Sequence, residues 1–318
     1  MSNKIKQEMN RIEIPKELSE RSKMGILKAK KEMRKSRKAY SLASIGIVAG
    51  LLVSIGTFAL FNNGFAPKGT TNNQNKPIVA NSDGVKIPPI QLPKGNSKAD
   101  MIGLIVYNGK IYTEAKTEID AENAKSILGE KLGTTKGNIE ERSNKEAFDE
   151  EFASTIPIGN VYSVKGYDKN FRIMTYGERD GKPYAKFYEN DNGITVNSGE
   201  DVFGKLKMAG NITSAKYGTY NEWDQNDNLY HPIADLKVVN GFVEELNKTR
   251  PIPKGENSPL INTRNNHQED FRELSIHLND GTNVKLIVLK EGYIYYGYMD
   301  VYFKMNDDIF SKMWSQLE

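Results

Sequence analysis

Four oxygen-bearing side chains, Asp224, Asn226, Asn228 and Asp235, stand at positions 1, 3, 5 and 12 of a calcium-loop spacing. Such a loop works because a hard divalent cation takes several oxygen ligands at once. Leu229 occupies the position where the loop needs glycine, Pro232 stiffens the stretch, and the closing carboxylate is the short Asp235. The segment therefore reads as a polar surface loop. The three histidines, His231, His267 and His277, have no close pairing, and His277 falls within a candidate strand, where a satisfied structural role is expected. Cysteine is absent, which removes thiolate zinc sites, iron–sulfur clusters, thiol nucleophiles and disulfides. No S-x-x-K, G-x-S-x-G, phosphate-loop or H-E-x-x-H pattern occurs. The sequence thus assigns no catalytic residue, cofactor or metal ligand, and the expectation is a protein that is not an enzyme.

The elements around these side chains alternate from residue 100 onward. Ile102–Tyr107 and Ile111–Glu114 flank Asn108-Gly109, a hairpin signal because both turn positions favour positive φ. Asp120–Leu132 has helical spacing, Asn160–Val164, Phe171–Tyr176 and Tyr184–Tyr188 read as strands, and Gly199–Met208 reads as a short helix. This β-β-α-β-β-β-α order over 100–209 has echoes over 210–318. Phe171-Arg172 and Asp180-Gly181 recur as Phe271-Arg272 and Asp280-Gly281, and Asp201–Leu206 as Asp308–Met313. Ile212–Tyr217 and Leu236–Asn247 continue the correspondence. The expected fold class is α+β, with antiparallel sheets, packed helices and two tandem units, against the alternative that common turn signals coincide. Thr282–Leu289 and Tyr293–Phe303 read as long strands. In the second, alternation sets Tyr293 and Tyr295 on one face and Tyr296 and Tyr298 on the other, which suits either cross-strand core packing or an aromatic binding face.

The 318-residue chain carries a net charge of +3 that is unevenly distributed. Residues 1–38 hold 13 Lys/Arg and five Glu, leaving 31 basic against 36 acidic residues in the remainder. Between a basic flank and Asn62-Asn63-Gly64 lies Ala39–Phe61, which has no charge. As a helix it would span roughly 34 Å, enough for a bilayer core of about 30 Å. Residues 39–61 are thus expected to cross the lipid bilayer once, with 1–38 cytoplasmic and 62–318 extracytoplasmic, because Lys and Arg are retained inside. A cleaved signal peptide fits less well, since its apolar core is shorter and its leader briefer. Gly46, Gly50 and Ser54 recur every four residues, allowing close approach of a second helix. Residues 62–99, rich in Asn, Gly, Thr and Pro, read as a flexible tether.

Within 1–38, Leu18, Ser22, Gly25, Ile26, Ala29 and Met33 form a narrow small and apolar stripe on an otherwise charged helix, with Pro15 suited to its first turn. Such a helix needs a lipid surface or a partner groove. The opening Ile12-Glu13-Ile14-Pro15-Lys16-Glu17-Leu18, the charged helix and the single span resemble the membrane-anchored anti-sigma factors of Gram-positive bacteria. The likeness covers mainly residues 11–61 and lacks the zinc-binding signature of the better-known class. It implies that Ile12, Ile14, Pro15, Leu18, Ile26 and Met33 contact an extracytoplasmic-function sigma factor through 11–38, with no direct nucleic-acid binding. It also implies that the outer domain senses an envelope ligand or protein. The alternative is a membrane-anchored extracellular binding or cell-wall-associated module. Protease added to intact protoplasts is expected to remove residues 62–318 and spare an N-terminal tag; a protected C-terminus would overturn this topology.

Overall fold

A computed structural model describes residues 84–90, 102–140, 148–225, 229–255 and 258–318, with the backbone of Ile78–Val79. The cytoplasmic segment 1–38 with Ile12, Ile14, Pro15, Leu18, Ile26 and Met33, the span 39–61 with Gly46, Gly50 and Ser54, and most of the tether 62–99 lie outside them. No helix among the described residues is long and apolar enough to cross a membrane. The described part is a mixed α+β structure, mostly antiparallel sheet with few helices.

Two short strands, β1 (Ile78–Val79) and β2 (Val85–Lys86), precede the hairpin of β3 (Leu104–Tyr107) and β4 (Lys110–Glu114). Its turn has Asn108 and Gly109 at φ +51° and +66°, as the sequence predicts. After β5 (Thr117–Ile119), helix α1 covers only Ala121–Ile127. The helix expected to reach residue 132 ends early because Leu128–Thr134 forms β6. Gly129 and Gly133 favour this outcome: each packs so closely, against Ser163 and the Phe152 ring, that a side chain there would collide. Strands β7 (Asn160–Val164), β8 (Arg172–Arg179) and β9 (Lys182–Glu189) follow, the last two joined at Asp180-Gly181, and then β10 (Thr195–Val196). The six-stranded sheet runs β3-β4-β9-β8-β7-β6. Segment 152–155 bonds β3 on one side, with Val106 N donating to Ala153 O, and residues 136–139 on the other, with Ile139 N donating to Ser154 O. The two ends of the sheet are thereby brought together around Ile105, Tyr112, Val161, Ile173 and Tyr188.

The helix expected at Gly199–Met208 is instead two 3-10 turns, Gly199–Asp201 and Gly204–Leu206. Gly199 lies against the Leu246 carbonyl, and Lys207 ends the second turn at φ +58°. Val202, Phe203 and Leu206 nevertheless point inward.

The remaining elements are β11 (Ile212–Thr219), α2 (Tyr220–Asp224), β12 (His231–Pro232), α3 (Leu236–Lys248), β13 (Pro251–Pro253), α4 (Pro259–Asn266), β14 (Phe271–Leu278), β15 (Thr282–Leu289), β16 (Tyr293–Tyr295), β17 (Val301–Lys304) and α5 (Asp307–Trp314). They form an eight-stranded sheet, β12-β11-β14-β15-β16-β17-β13, with β5 added on β15. The strand expected over Tyr293–Phe303 is broken after Tyr295, because Gly297 at φ +66° turns the chain. Strand β5 pairs Thr117 with Val284 and Ile119 with Thr282, joining residues from the first half of the chain to the second sheet.

One face of this sheet buries Leu274, Ile276, Leu286 and Val288 under α3 and α5, which contribute Val239, Phe242, Leu246, Phe310 and Met313. Asp235 starts α3 by accepting from the amides of Lys237 and Val238. The opposite face carries an aromatic layer of Phe271, Tyr295 and Tyr302 against Leu260, Tyr220 and Trp223. Phe242→Ala is expected to cost about 3–5 kcal/mol in chemical unfolding, since Phe242 is fully buried. Ile158→Ala, at a site 72% exposed, should stay within about 0.5 kcal/mol.

Candidate functional site

Where the two sheets meet, Arg172 at the start of β8 faces Glu189 at the end of β9 across a paired register. Their side chains are 0% and 2% exposed, so both charges have left water. Arg172 Nε and Nη2 both donate to Glu189 Oε1, at 2.9 and 2.5 Å, and Nη2 also donates to Thr117 Oγ1 at 3.1 Å. Tyr296 OH donates to Glu189 Oε2 at 2.6 Å and lies 2.9 Å from Thr117 Oγ1, whose proton therefore points to the phenol oxygen. The guanidinium carbon sits 4.4 Å from the Tyr167 ring centroid and 4.8 Å from that of Phe187. Nη1 makes no hydrogen bond, while the guanidinium as a whole lies against these rings. β8, β9, β5 and the turn after β16 each supply one polar member, so one ion pair fixes four separate pieces of chain.

The electrostatics follow from burial. Burial is the largest influence on Arg172 and lowers its pKa, but the charge and hydrogen bond of Glu189 together with Tyr296 and Tyr167 outweigh it, and the net direction is upward. Burial, reinforced by Glu189, pushes the Tyr296 phenol well above its ordinary value and keeps it a donor. Beside this pair, Tyr167 OH donates to Asp280 Oδ2 at 2.7 Å, and Thr282 donates to Oδ1 from its amide and hydroxyl. Burial opposes ionisation of Asp280, yet the hydrogen bonds and Arg172 win and hold its carboxyl below the usual range. Asp191, two residues beyond Glu189, is pushed up to about 7 by burial and then by the Glu189 charge, against the pull of backbone amides and the Thr113 hydroxyl.

Next to Asp280 a surface cleft of about 350 Å³ opens between α1 and the β14–β15 turn. Asn123, Ser126, Thr213, His277, Asn279 and Asp280 line it, giving amide, hydroxyl and imidazole groups suited to a hydroxylated or amide-bearing molecule. Gly281 is required at its rim by φ +85° and by contact with Asn123.

The sequence candidates fall elsewhere. Asp224 ends α2, Asn226 and Asn228 lie outside the described residues, and the Asp235 carboxylate is engaged as the α3 cap. His231 Nε2 lies 2.9 Å from Glu222 Oε1 at the surface. His267, Glu269 and Asp270 bring ligand atoms within 4.8 Å of one another on an exposed turn, but Asp270 also pairs with Lys290 at 3.4 Å. His277 lies in β14, as expected, and borders the cleft. The expected aromatic alternation holds as far as Tyr296, with Tyr293 and Tyr295 in one layer and Tyr296 in the other. Tyr293 and Tyr295 join the aromatic layer, while Tyr296 turns into the polar joint. In the sequence Arg172 stands out only as half of a repeated Phe-Arg pair. Its counterpart Arg272 binds the carbonyls of Leu317, Glu269 and Phe271, so the repeat alone does not reveal a buried charge.

Comparison with protein-family models, curated proteins and solved structures finds no match for this chain. Arg172→Met is expected to destabilise the fold by about 3–5 kcal/mol, because Glu189 would remain buried and unneutralised. Combining it with Glu189→Gln should recover part of that loss in urea unfolding. Equal loss in the single and double variants would refute a charge origin.

Proposed function

We propose that the chain is a single-pass regulator in the cell membrane. Its cytoplasmic helix binds and sequesters an extracytoplasmic-function sigma factor, and its outer α+β domain senses an envelope signal. The observation that supports this reading is the order of three chemically distinct segments. A basic segment with an apolar stripe at helical spacing comes first, then 23 uncharged residues, then a net-acidic remainder. A stripe this narrow cannot bury itself within its own segment and suits a groove on another protein. The outer domain is proposed as two related units, 100–209 and 210–318. In support, Asp180-Gly181 and Asp280-Gly281 both connect long antiparallel strands, β8 to β9 and β14 to β15. A second reading, an anchored binding module without a cytoplasmic partner, is favoured by the polar cleft beside α1.

Affinity capture of the full-length chain from solubilised membranes separates the two. Co-purification of a sigma factor is expected, with loss of at least about tenfold in Leu18→Asp and Ile26→Asp, since an unpaired charge in an apolar contact costs several kcal/mol. Membrane insertion should be unchanged. Retained capture and unchanged sigma-dependent transcription in both variants would sink the regulatory reading and leave the binding module.

A further inference from the structure

The cleft between α1 and the β14–β15 turn has walls that the backbone fixes. Strand β5 pairs with the start of β15, Ile119 opposite Thr282 and Thr117 opposite Val284, and α1 follows β5 directly, so a strand ladder sets the helix beside the turn. The third wall is β11. Its register against β14 shifts between Ile212 and Ser214, which leaves Thr213 bulged opposite the His277–Leu278 step, and Thr213 Oγ1 donates to the His277 carbonyl at 3.1 Å. Asn279 ties the turn to the same strand: its amide N–H donates to Asn211 O at 2.9 Å and its Nδ2 to Asn211 Oδ1 at 3.0 Å. A bulge gives up ladder hydrogen bonds to re-aim a side chain, and bulges concentrate at sheet edges and beside active sites. Here the bulged residue borders a space of about 350 Å³ onto which three elements converge.

Internal bonds use only part of the polar capacity of these walls. Ser126 Oγ donates to the Asn123 carbonyl and Thr213 Oγ1 to that of His277, which leaves both hydroxyl oxygens able to accept. The Asn279 side chain keeps its oxygen and one hydrogen, and among the described residues no hydrogen bond engages the Asn123 amide group or the His277 ring. The Asp280 carboxylate, by contrast, is satisfied from the protein side, by the Thr282 amide and hydroxyl on Oδ1 and by Tyr167 OH on Oδ2. No Lys or Arg lines the cleft, and Asp280 is its one carboxylate. An anion would therefore meet a negative charge and no counter-charge. An apolar molecule would strip water from amide and imidazole groups without replacing its hydrogen bonds. A neutral molecule rich in hydroxyls, each both donor and acceptor, meets neither cost. The volume stands at the small end of the roughly 300–1,000 Å³ usual for small-molecule sites.

We propose that the cleft is a carbohydrate site for a neutral acetamido sugar, with Asn123 pairing the acetamido group and His277, Asn279 and Thr213 taking hydroxyls. This rests on the reading that the outer domain binds an envelope molecule, and it names the chemical class of that molecule. A primary amide offers one acceptor and two donors, the complement of an acetamido group with its own carbonyl and N–H. Because the walls are held by strand pairing and by Asn279, little ordering of the protein accompanies binding. Asp280 shares the lining and bonds Tyr167, whose ring lies 4.4 Å from the Arg172 guanidinium carbon, so the site borders the polar joint through one side chain.

The test is titration of the full-length protein in lipid nanodiscs with N-acetylglucosamine and with its 6-phosphate, followed by saturation-transfer NMR. The neutral sugar should bind saturably with Kd of about 0.1–5 mM, as befits a small polar site. The phosphate ester should bind at least about fivefold more weakly, since the cleft offers it no counter-charge. Asn123→Leu and His277→Val should each weaken the neutral sugar by about fivefold or more, the worth of one lost hydrogen bond. No saturable binding of N-acetylglucosamine overturns the site. Equal or tighter binding of the phosphate ester overturns the ligand class, and unchanged affinity in both variants overturns the location. If circular dichroism shows that His277→Val does not fold, Asn123→Leu decides, because Asn123 is an exposed helix residue. Sigma-factor capture is scored on separate samples without sugar, so a failure of one reading is distinct from a failure of the other.

Discussion

A guanidinium withdrawn from water has to be neutralised where it stands, and much of the architecture around Arg172 follows from that requirement. Glu189 can reach it only if β8 and β9 pair in the observed register, Arg172 opposite Glu189 and Arg179 opposite Lys182. A one-residue slip would turn every side chain of one strand to the other face and leave both charges unmatched. The second carboxylate oxygen then needs its own donor. Tyr296 supplies it, which requires the chain to break after β16 rather than continue as a strand. Thr117 closes the circuit, and with it β5 is drawn from the first half of the chain onto β15. A buried pair of this kind is poor evidence of net stability, but it penalises alternative arrangements heavily.

Local signals in the sequence were sufficient where local chemistry decides. Asn108-Gly109 gives the first hairpin, Asn160–Val164 and Thr282–Leu289 are strands at the expected bounds, and Leu236–Asn247 differs from α3 by one residue. The failures share a cause in distant contacts. Helical spacing in Asp120–Leu132 is overridden from Leu128 by pairing with β7, and Gly199–Met208 tightens into 3-10 turns because Gly199 must approach α3. The polar joint was illegible for the same reason. Thr117, Arg172, Glu189 and Tyr296 are scattered over more than half the chain, and each is individually ordinary in its local context.

The proposed regulatory role divides the chain into parts that answer to different solvents: cytosol, lipid and the exterior. The described α+β portion is the part to which the proposal gives the reading of external conditions. The α3–α5 core is apolar, and the aromatic layer holds no charged side chain. The joint between the sheets is the polar place where side chains from both halves depend on one another.

The sheet margins bear on how the protein behaves among copies of itself. An unpaired strand edge is a template on which another chain can add a strand, the first step towards aggregation. Here the six-stranded sheet has its two ends stitched together by segment 152–155, so β3 offers little to a neighbour. The main path of the eight-stranded sheet terminates in His231-Pro232 on one side and Pro251-Ile252-Pro253 on the other, and the branch on β15 ends in the three-residue β5. Proline has no amide hydrogen to donate, and strands of two or three residues give little length to match. A second copy would find little backbone to pair with at these short, proline-bearing margins.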